Sequence, residues 1–102
     1  MDNEIACTLT SAELRHRRAT VLRSLQTKIV GRTEFPEGYS FAFPGDDAVI
    51  DELLEFIKTE RECCKFFQFD LSVNGDKSGT LLRLTGPPGV KDFIRDELGF
   101  LA

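Results

Sequence analysis

The most distinctive side chains of this sequence lie between Glu60 and Cys64. The adjacent cysteines Cys63 and Cys64 offer two soft thiolate donors, which suit Zn(II), Cu(I) and other thiophilic ions. Cys7 would add a third thiolate if the start of the first helix packs nearby, and Glu60 or Glu62 would complete four donors. The candidate metal ligands are therefore Cys7, Cys63, Cys64 and Glu60, for a soft ion such as Zn or Cu or for a thiophilic metalloid.

Two other interpretations of the cysteines stay open. A thiol-redox protein needs a stabilised thiolate, but Glu60 and Glu62 beside the cysteine pair disfavour one. Alternatively, the cysteines only pack in the core, which is the commonest fate of a free cysteine, and the chain is a non-catalytic interaction or structural module. The C-x-x-C spacing of common zinc sites is absent. His16 faces away from the apolar side of its own predicted helix and is expected at the surface.

Glu60 is a carboxylate on an apolar helix face. Projection of the second helix at about 100° per residue places Glu60 and Cys64 inside the apolar arc and Cys63 at its edge. A buried carboxylate must be paired, protonated or bound to a ligand. Arg18 is likewise an ion on the apolar face of the first helix. An Arg18–Glu60 ion pair between the helices is thus the alternative to a ligand role for Glu60.

Composition and charge exclude several classes of function. The chain has 102 residues with 13 Lys and Arg against 17 Asp and Glu, and a net charge of −4 disfavours nucleic acid as a partner. No apolar run approaches the roughly 18–20 residues that span a membrane, and the acidic N-terminus does not resemble a secretory signal. We therefore expect a cytoplasmic protein with reduced thiols. Neither a glycine-rich phosphate loop nor a nucleophile elbow is present.

The elements that must position these residues follow from periodicity and turn chemistry. Thr10 and Glu13 have capping-box spacing, which predicts a helix over about residues 11–26 with a hydrophobic staple between Leu9 and Leu14.

A hairpin turns at residues 36–38, where Gly38 supplies the positive φ that a tight turn needs. In the strand that follows, Tyr39, Phe41 and Phe43 fall on one side, which is expected to be buried. A second helix runs to about Cys64, and its predicted apolar face consists of Val49, Ile50, Leu53, Leu54, Phe56 and Ile57.

A second hairpin and a short last helix complete the predicted order, α-ββ-α-ββ-α. Its strands lie near residues 67–73 and 80–85, and Val90, Phe93, Ile94 and Leu98 indicate the helix. The fold class is therefore α+β: a single domain over residues 1–102, with a four-stranded antiparallel sheet and helices packed on one face. A sheet covered on one side, with nine Phe and one Tyr in the chain, is compatible with a homodimer.

Several motifs together resemble a family of small, uncharacterised bacterial proteins of about this length. They are Cys7-x-Leu9 leading to Glu13-Leu14-x-x-Arg17-Arg18, Phe41-x-Phe43-Pro44-Gly45, Glu60-x-x-Cys63-Cys64-x-Phe66 and Leu82-Arg83-Leu84-Thr85-Gly86-Pro87. The resemblance spans nearly the whole chain. It implies that Cys7, Glu60, Cys63 and Cys64 belong to one shared pattern.

Overall fold

The predicted order of elements is confirmed in the computed structural model, which describes residues 11–101. Within that range the elements are α1 (Ala12–Gln26), β1 (Gly31–Phe35), β2 (Gly38–Phe43), α2 (Asp47–Cys63), β3 (Gln68–Val73), β4 (Thr80–Thr85) and α3 (Val90–Phe93), followed by a π-helical segment (Ile94–Leu98). The strands form one antiparallel sheet in the order β1-β2-β4-β3. The chain is therefore an α+β protein with two hairpins and three helices in its described part.

Helix α1 begins one residue later than the capping box predicted. Its N-cap is Ser11, whose hydroxyl accepts a hydrogen bond from the Leu14 amide at 3.3 Å. Thr10 and its staple partner Leu9 lie outside the described residues. Serine and threonine are both preferred N-cap residues, so adjacent Thr10 and Ser11 left the choice of cap ambiguous.

Gly38, at the turn of the first hairpin, lies where β2 closely approaches β4. The turn chemistry predicted Gly38 as a residue with positive φ, but Gly38 is not among the described glycines with that conformation and is the first residue of β2. Gly38 pairs with Thr85, and a Cβ atom on Gly38 would lie 1.9 Å from the Leu84 carbonyl oxygen. The glycine is thus required for space rather than for backbone conformation.

Substitution of Gly38 tests this steric requirement. Gly38→Ala is expected to lower the free energy of unfolding by about 1–3 kcal/mol, because the neighbouring strand must move away from the new methyl group. Gly75→Ala is the matched control, since a Cβ atom there meets nothing within 4 Å. Urea denaturation followed by circular dichroism measures both, and equal stabilities of the two variants would contradict the steric explanation.

One face of the sheet carries the core and the helices. Phe41 lies opposite Leu82, and Leu84 lies opposite both Tyr39 and Phe69. As predicted, Phe41 and Phe43 are buried on this side, whereas Tyr39 is only half-buried. The other face differs in character: its Leu81 is 43% exposed, and the Arg83 guanidinium lies 4.3 Å from the centre of the Phe35 ring.

The buried stripe of α2 differs from the predicted apolar face. Besides Thr59, the buried residues of α2 follow alternating spacings of four and three residues: Val49, Leu53, Phe56, Glu60 and Cys63. Leu54, which was predicted on the buried face, is 42% exposed, and Ile50 and Ile57 are only partly buried. The stripe is rotated because α2 contacts the sheet through Phe56, whose ring lies 6.3 Å from that of Phe69.

Candidate metal centre

The end of α2 positions the site. Glu60 and Cys63 are the last two members of its buried stripe and are 0% and 3% exposed. Cys64 has left the helix and forms its C-cap, with its backbone amide donating to the Glu60 carbonyl at 2.6 Å. Since Cys64 no longer follows helical geometry, it reaches the same buried space from a different direction and is 0% exposed.

The two sulfur atoms are neighbours. Cys63 Sγ and Cys64 Sγ lie 3.2 Å apart, and both residues are thiols, with no disulfide between them. Cys63 Sγ also donates to the Glu60 carbonyl at 3.6 Å, and Cys64 Sγ donates to Glu60 Oε1 at 3.6 Å. The projection that placed Cys63 at the edge of the apolar arc is wrong, because the real stripe continues through Glu60 to Cys63.

The predicted ion pair between the helices is confirmed. Arg18 Nε donates to Glu60 Oε2 at 2.6 Å, and Arg18 Nη2 donates to Glu60 Oε1 at 3.3 Å. The Arg18 side chain is 15% exposed, while that of Glu60 is fully buried. A two-point contact between planar groups is the strongest form of this pairing, so it fixes the carboxylate next to the sulfurs.

A second ion-pair network links the same two helices. Glu52 of α2 accepts from Ser24 Oγ at 2.7 Å and from Lys28 Nζ at 2.6 Å. Burial acts to raise the pKa of the Glu52 carboxyl, but the hydrogen bonds from Lys28 and Ser24 and the Lys28 charge outweigh it and lower that pKa below its ordinary value. Ion pairs and hydrogen bonds therefore join α1 and Lys28, just beyond its end, to α2 at more than one position.

Glu60, Cys63 and Cys64 form a cluster that could hold a metal ion. One carboxylate oxygen and two sulfur atoms lie within 4.8 Å of one another, and all three residues are buried. Two thiolates and an oxygen are a donor set for a thiophilic ion. Cys7, the predicted third thiol donor, lies outside the described residues.

Neither Glu62, which was predicted as an alternative carboxylate donor, nor His16, which was predicted at the surface, is part of this cluster. The Glu62 side chain is exposed, whereas the sulfur atoms are buried. His16 is exposed on α1, as predicted. No helix in the described range 11–101 is long and apolar enough to cross a membrane.

The fold and site together define an α+β protein with a buried cluster of one carboxylate and two thiols. Comparisons with protein-family models, with curated proteins and with solved structures find no match for this chain. What the protein does must therefore be inferred from the site itself.

Proposed function

We propose that this protein binds a soft metal or metalloid ion through the thiolates of Cys63 and Cys64. The observation that carries the proposal is the approach of the two sulfur atoms to 3.2 Å at a buried position. Two sulfurs at this distance can bond to one ion without large movement, and the surrounding apolar core excludes competing water.

Glu60 has a supporting role in this proposal. Both of its carboxylate oxygens already accept bonds from Arg18, so the carboxylate is not needed as a strong ligand. Its Oε1 accepts from Cys64 Sγ, and this contact orients the thiol and offers a route for the proton that a binding thiol must release. Cys7 is proposed as a third donor, and the proposed location is the cytoplasm, because a reducing compartment keeps adjacent cysteines as thiols.

Replacement of both adjacent cysteines tests the function. The reduced wild-type protein is expected to retain one equivalent of Cd(II), used as a spectroscopic probe of thiolate ligation, after desalting. The double variant Cys63→Ser/Cys64→Ser is expected to retain none, because hydroxyl groups are poor donors for soft ions. Native mass spectrometry gives the stoichiometry, and ultraviolet absorption from sulfur–cadmium bonds reports the ligand type.

The single variant Cys7→Ser serves as the control for the third donor. Weaker binding with unchanged stoichiometry would support a ligand role for Cys7, and unchanged affinity would limit the site to the adjacent pair. Full retention of Cd(II) by the Cys63→Ser/Cys64→Ser protein would overturn the proposal.

The second candidate function is a structural or interaction module in which the cysteines only pack. Its support is the burial of Cys63 and Cys64 in the hydrophobic core together with residues such as Leu53 and Phe56. In that case the native thiols would resist a labelling reagent, and no soft ion would be retained. The same two measurements therefore discriminate between the candidates.

A further inference from the structure

Resting on the proposed ion-binding function, we infer that the site selects trivalent arsenic, bound as a dithiolate of Cys63 and Cys64. The sulfur separation fits this ion best, and the local charge is compatible with it. Both quantities come from described residues, and neither depends on where Cys7 lies.

The sulfur separation sets the bond angle at a shared ion. With metal–sulfur bonds of about 2.3 Å, a separation of 3.2 Å corresponds to an angle of about 90°. A tetrahedral ion with such bonds would need its sulfurs about 3.8 Å apart, and a linear two-coordinate ion about 4.6 Å. Trivalent arsenic has a lone pair and a pyramidal arrangement with angles near a right angle, so it fits the existing separation.

Within residues 11–101, the number of donors fits a three-coordinate ion. The described cluster supplies two sulfurs and one carboxylate, and Arg18 bonds to both oxygens of that carboxylate. Zinc in a closed protein site takes four ligands. Pyramidal arsenic takes three, and two sulfurs plus one hydroxide satisfy it.

Charge neutrality at a buried site disfavours a monovalent ion and is compatible with trivalent arsenic. Arg18 and Glu60 cancel each other, so the two thiolates leave a charge of −2 to be balanced by what binds. Trivalent arsenic that keeps one hydroxide carries +2 and gives a neutral complex, whereas Cu(I) would leave an uncompensated negative charge in the core. If Cys7 replaces the hydroxide, three thiolates neutralise trivalent arsenic but leave a divalent metal with an excess negative charge.

The binding reaction is a ligand exchange without oxidation or reduction. Arsenous acid, As(OH)₃, reacts with the two thiols to form two As–S bonds, and two As–O bonds break. Each departing hydroxide takes one thiol proton and leaves as water, and one hydroxide stays on arsenic. The Cys64 thiol donates its proton in a hydrogen bond to Glu60 Oε1, and this contact gives the proton a path away from the sulfur.

Equilibrium competition between arsenite and Cd(II) on the full-length reduced protein tests the inference. Native mass spectrometry should show one arsenic per chain when both are present at equal concentration. The mass of the complex also shows whether arsenic is bound by two sulfurs and a hydroxide or by three sulfurs. Replacement of the last hydroxide by Cys7 releases one more water and lowers the mass accordingly. Phenylarsine oxide, which can accept only two sulfurs, should bind with the same stoichiometry.

The variants locate the arsenic. Cys63→Ser and Cys64→Ser are each expected to weaken arsenite binding by about 100-fold or more, because chelation by two linked donors is lost. Thermal melting and circular dichroism of each variant confirm that it is folded. A Cys63→Ser or Cys64→Ser protein that binds arsenite as tightly as the wild type would overturn the assignment.

The outcomes separate this inference from the function on which it rests. If Cd(II) is retained through Cys63 and Cys64 but arsenite does not displace it, the arsenic preference is wrong and soft-ion binding stands. If neither arsenite nor Cd(II) is retained, both proposals fall.

Discussion

Arg18→Met is expected to lower the free energy of unfolding by about 3–5 kcal/mol, because it leaves the Glu60 carboxylate buried without its cation. Glu60 is fully buried and accepts two hydrogen bonds from the Arg18 guanidinium. Methionine keeps most of the aliphatic length of arginine, so the loss reports charge and hydrogen bonding more than packing. Urea denaturation followed by circular dichroism measures the change.

Arg17→Met is the matched control for this variant. Arg17 is the preceding residue on α1 and pairs with Glu55 at 3.4 Å, but both side chains are largely exposed. A solvated pair of this kind contributes under about 1 kcal/mol. Similar losses in the two variants would show that burial does not govern the Arg18–Glu60 interaction.

The double variant Arg18→Met/Glu60→Leu separates folding from ion binding. An apolar pair of similar volume avoids the cost of burying two ions, so this variant is expected to be about as stable as the wild type. It retains both cysteines but lacks the acceptor for Cys64 Sγ. We expect it to bind Cd(II) about 10–100-fold more weakly, since partners of ligating groups affect affinity on that scale. Unchanged affinity would restrict Glu60 to a structural role.

The Arg18–Glu60 pair was predictable from the sequence because each residue is an ion among apolar neighbours on its helix. Two ions of opposite charge on apolar helix faces of one small domain predict an ion pair, since burial of either ion alone is too costly. The position of Cys63 was not predicted correctly. The projection gave equal weight to Ile50 and Leu54, whereas contact with the sheet selects the side of α2 that carries Val49 and Phe56.

The proximity of the two sulfur atoms also could not be predicted from the sequence. In a continuous helix, adjacent side chains point about 100° apart and do not face each other. The helix instead ends at Cys63, and Cys64 turns out of helical geometry with φ of −116° and ψ of 71°. Nothing in residue type marks Cys64 as the C-cap, because the glycine that commonly follows a C-cap is absent and Lys65 occupies that position.

Near the end of the chain, helical periodicity predicted some buried residues but not Phe100. Val90, Phe93, Ile94 and Leu98 were recognised from their helical spacing and are buried. Phe100 follows the helical region and belongs to no periodic pattern, yet it is 0% exposed. Gly99 adopts a left-handed conformation with φ of 70°, which ends the π-helical segment and redirects the chain into the core.

Phe100→Ala is therefore expected to lower the free energy of unfolding by about 3–5 kcal/mol, because it leaves a cavity in the core. The Phe100 ring lies 5.1 Å from that of Phe41, 5.6 Å from that of Phe56 and 6.4 Å from that of Phe43. It thus joins β2 to α2 through one side chain. The loss should appear as a lower urea midpoint with an unchanged denaturant slope.

Two further variants define what Phe100 contributes. Phe100→Leu keeps an apolar side chain in the space and should cost less than Phe100→Ala, since the remaining cavity is smaller. Val30→Ala removes apolar atoms from a residue that is 71% exposed and should change stability by less than about 0.5 kcal/mol. Because Phe56 lies on the same helical stripe as Glu60 and Cys63, loosening of the core at Phe100 should also speed the labelling of the buried thiols. A Phe100→Ala protein as stable as the Val30→Ala protein would show that the end of the chain does not hold α2 against the sheet.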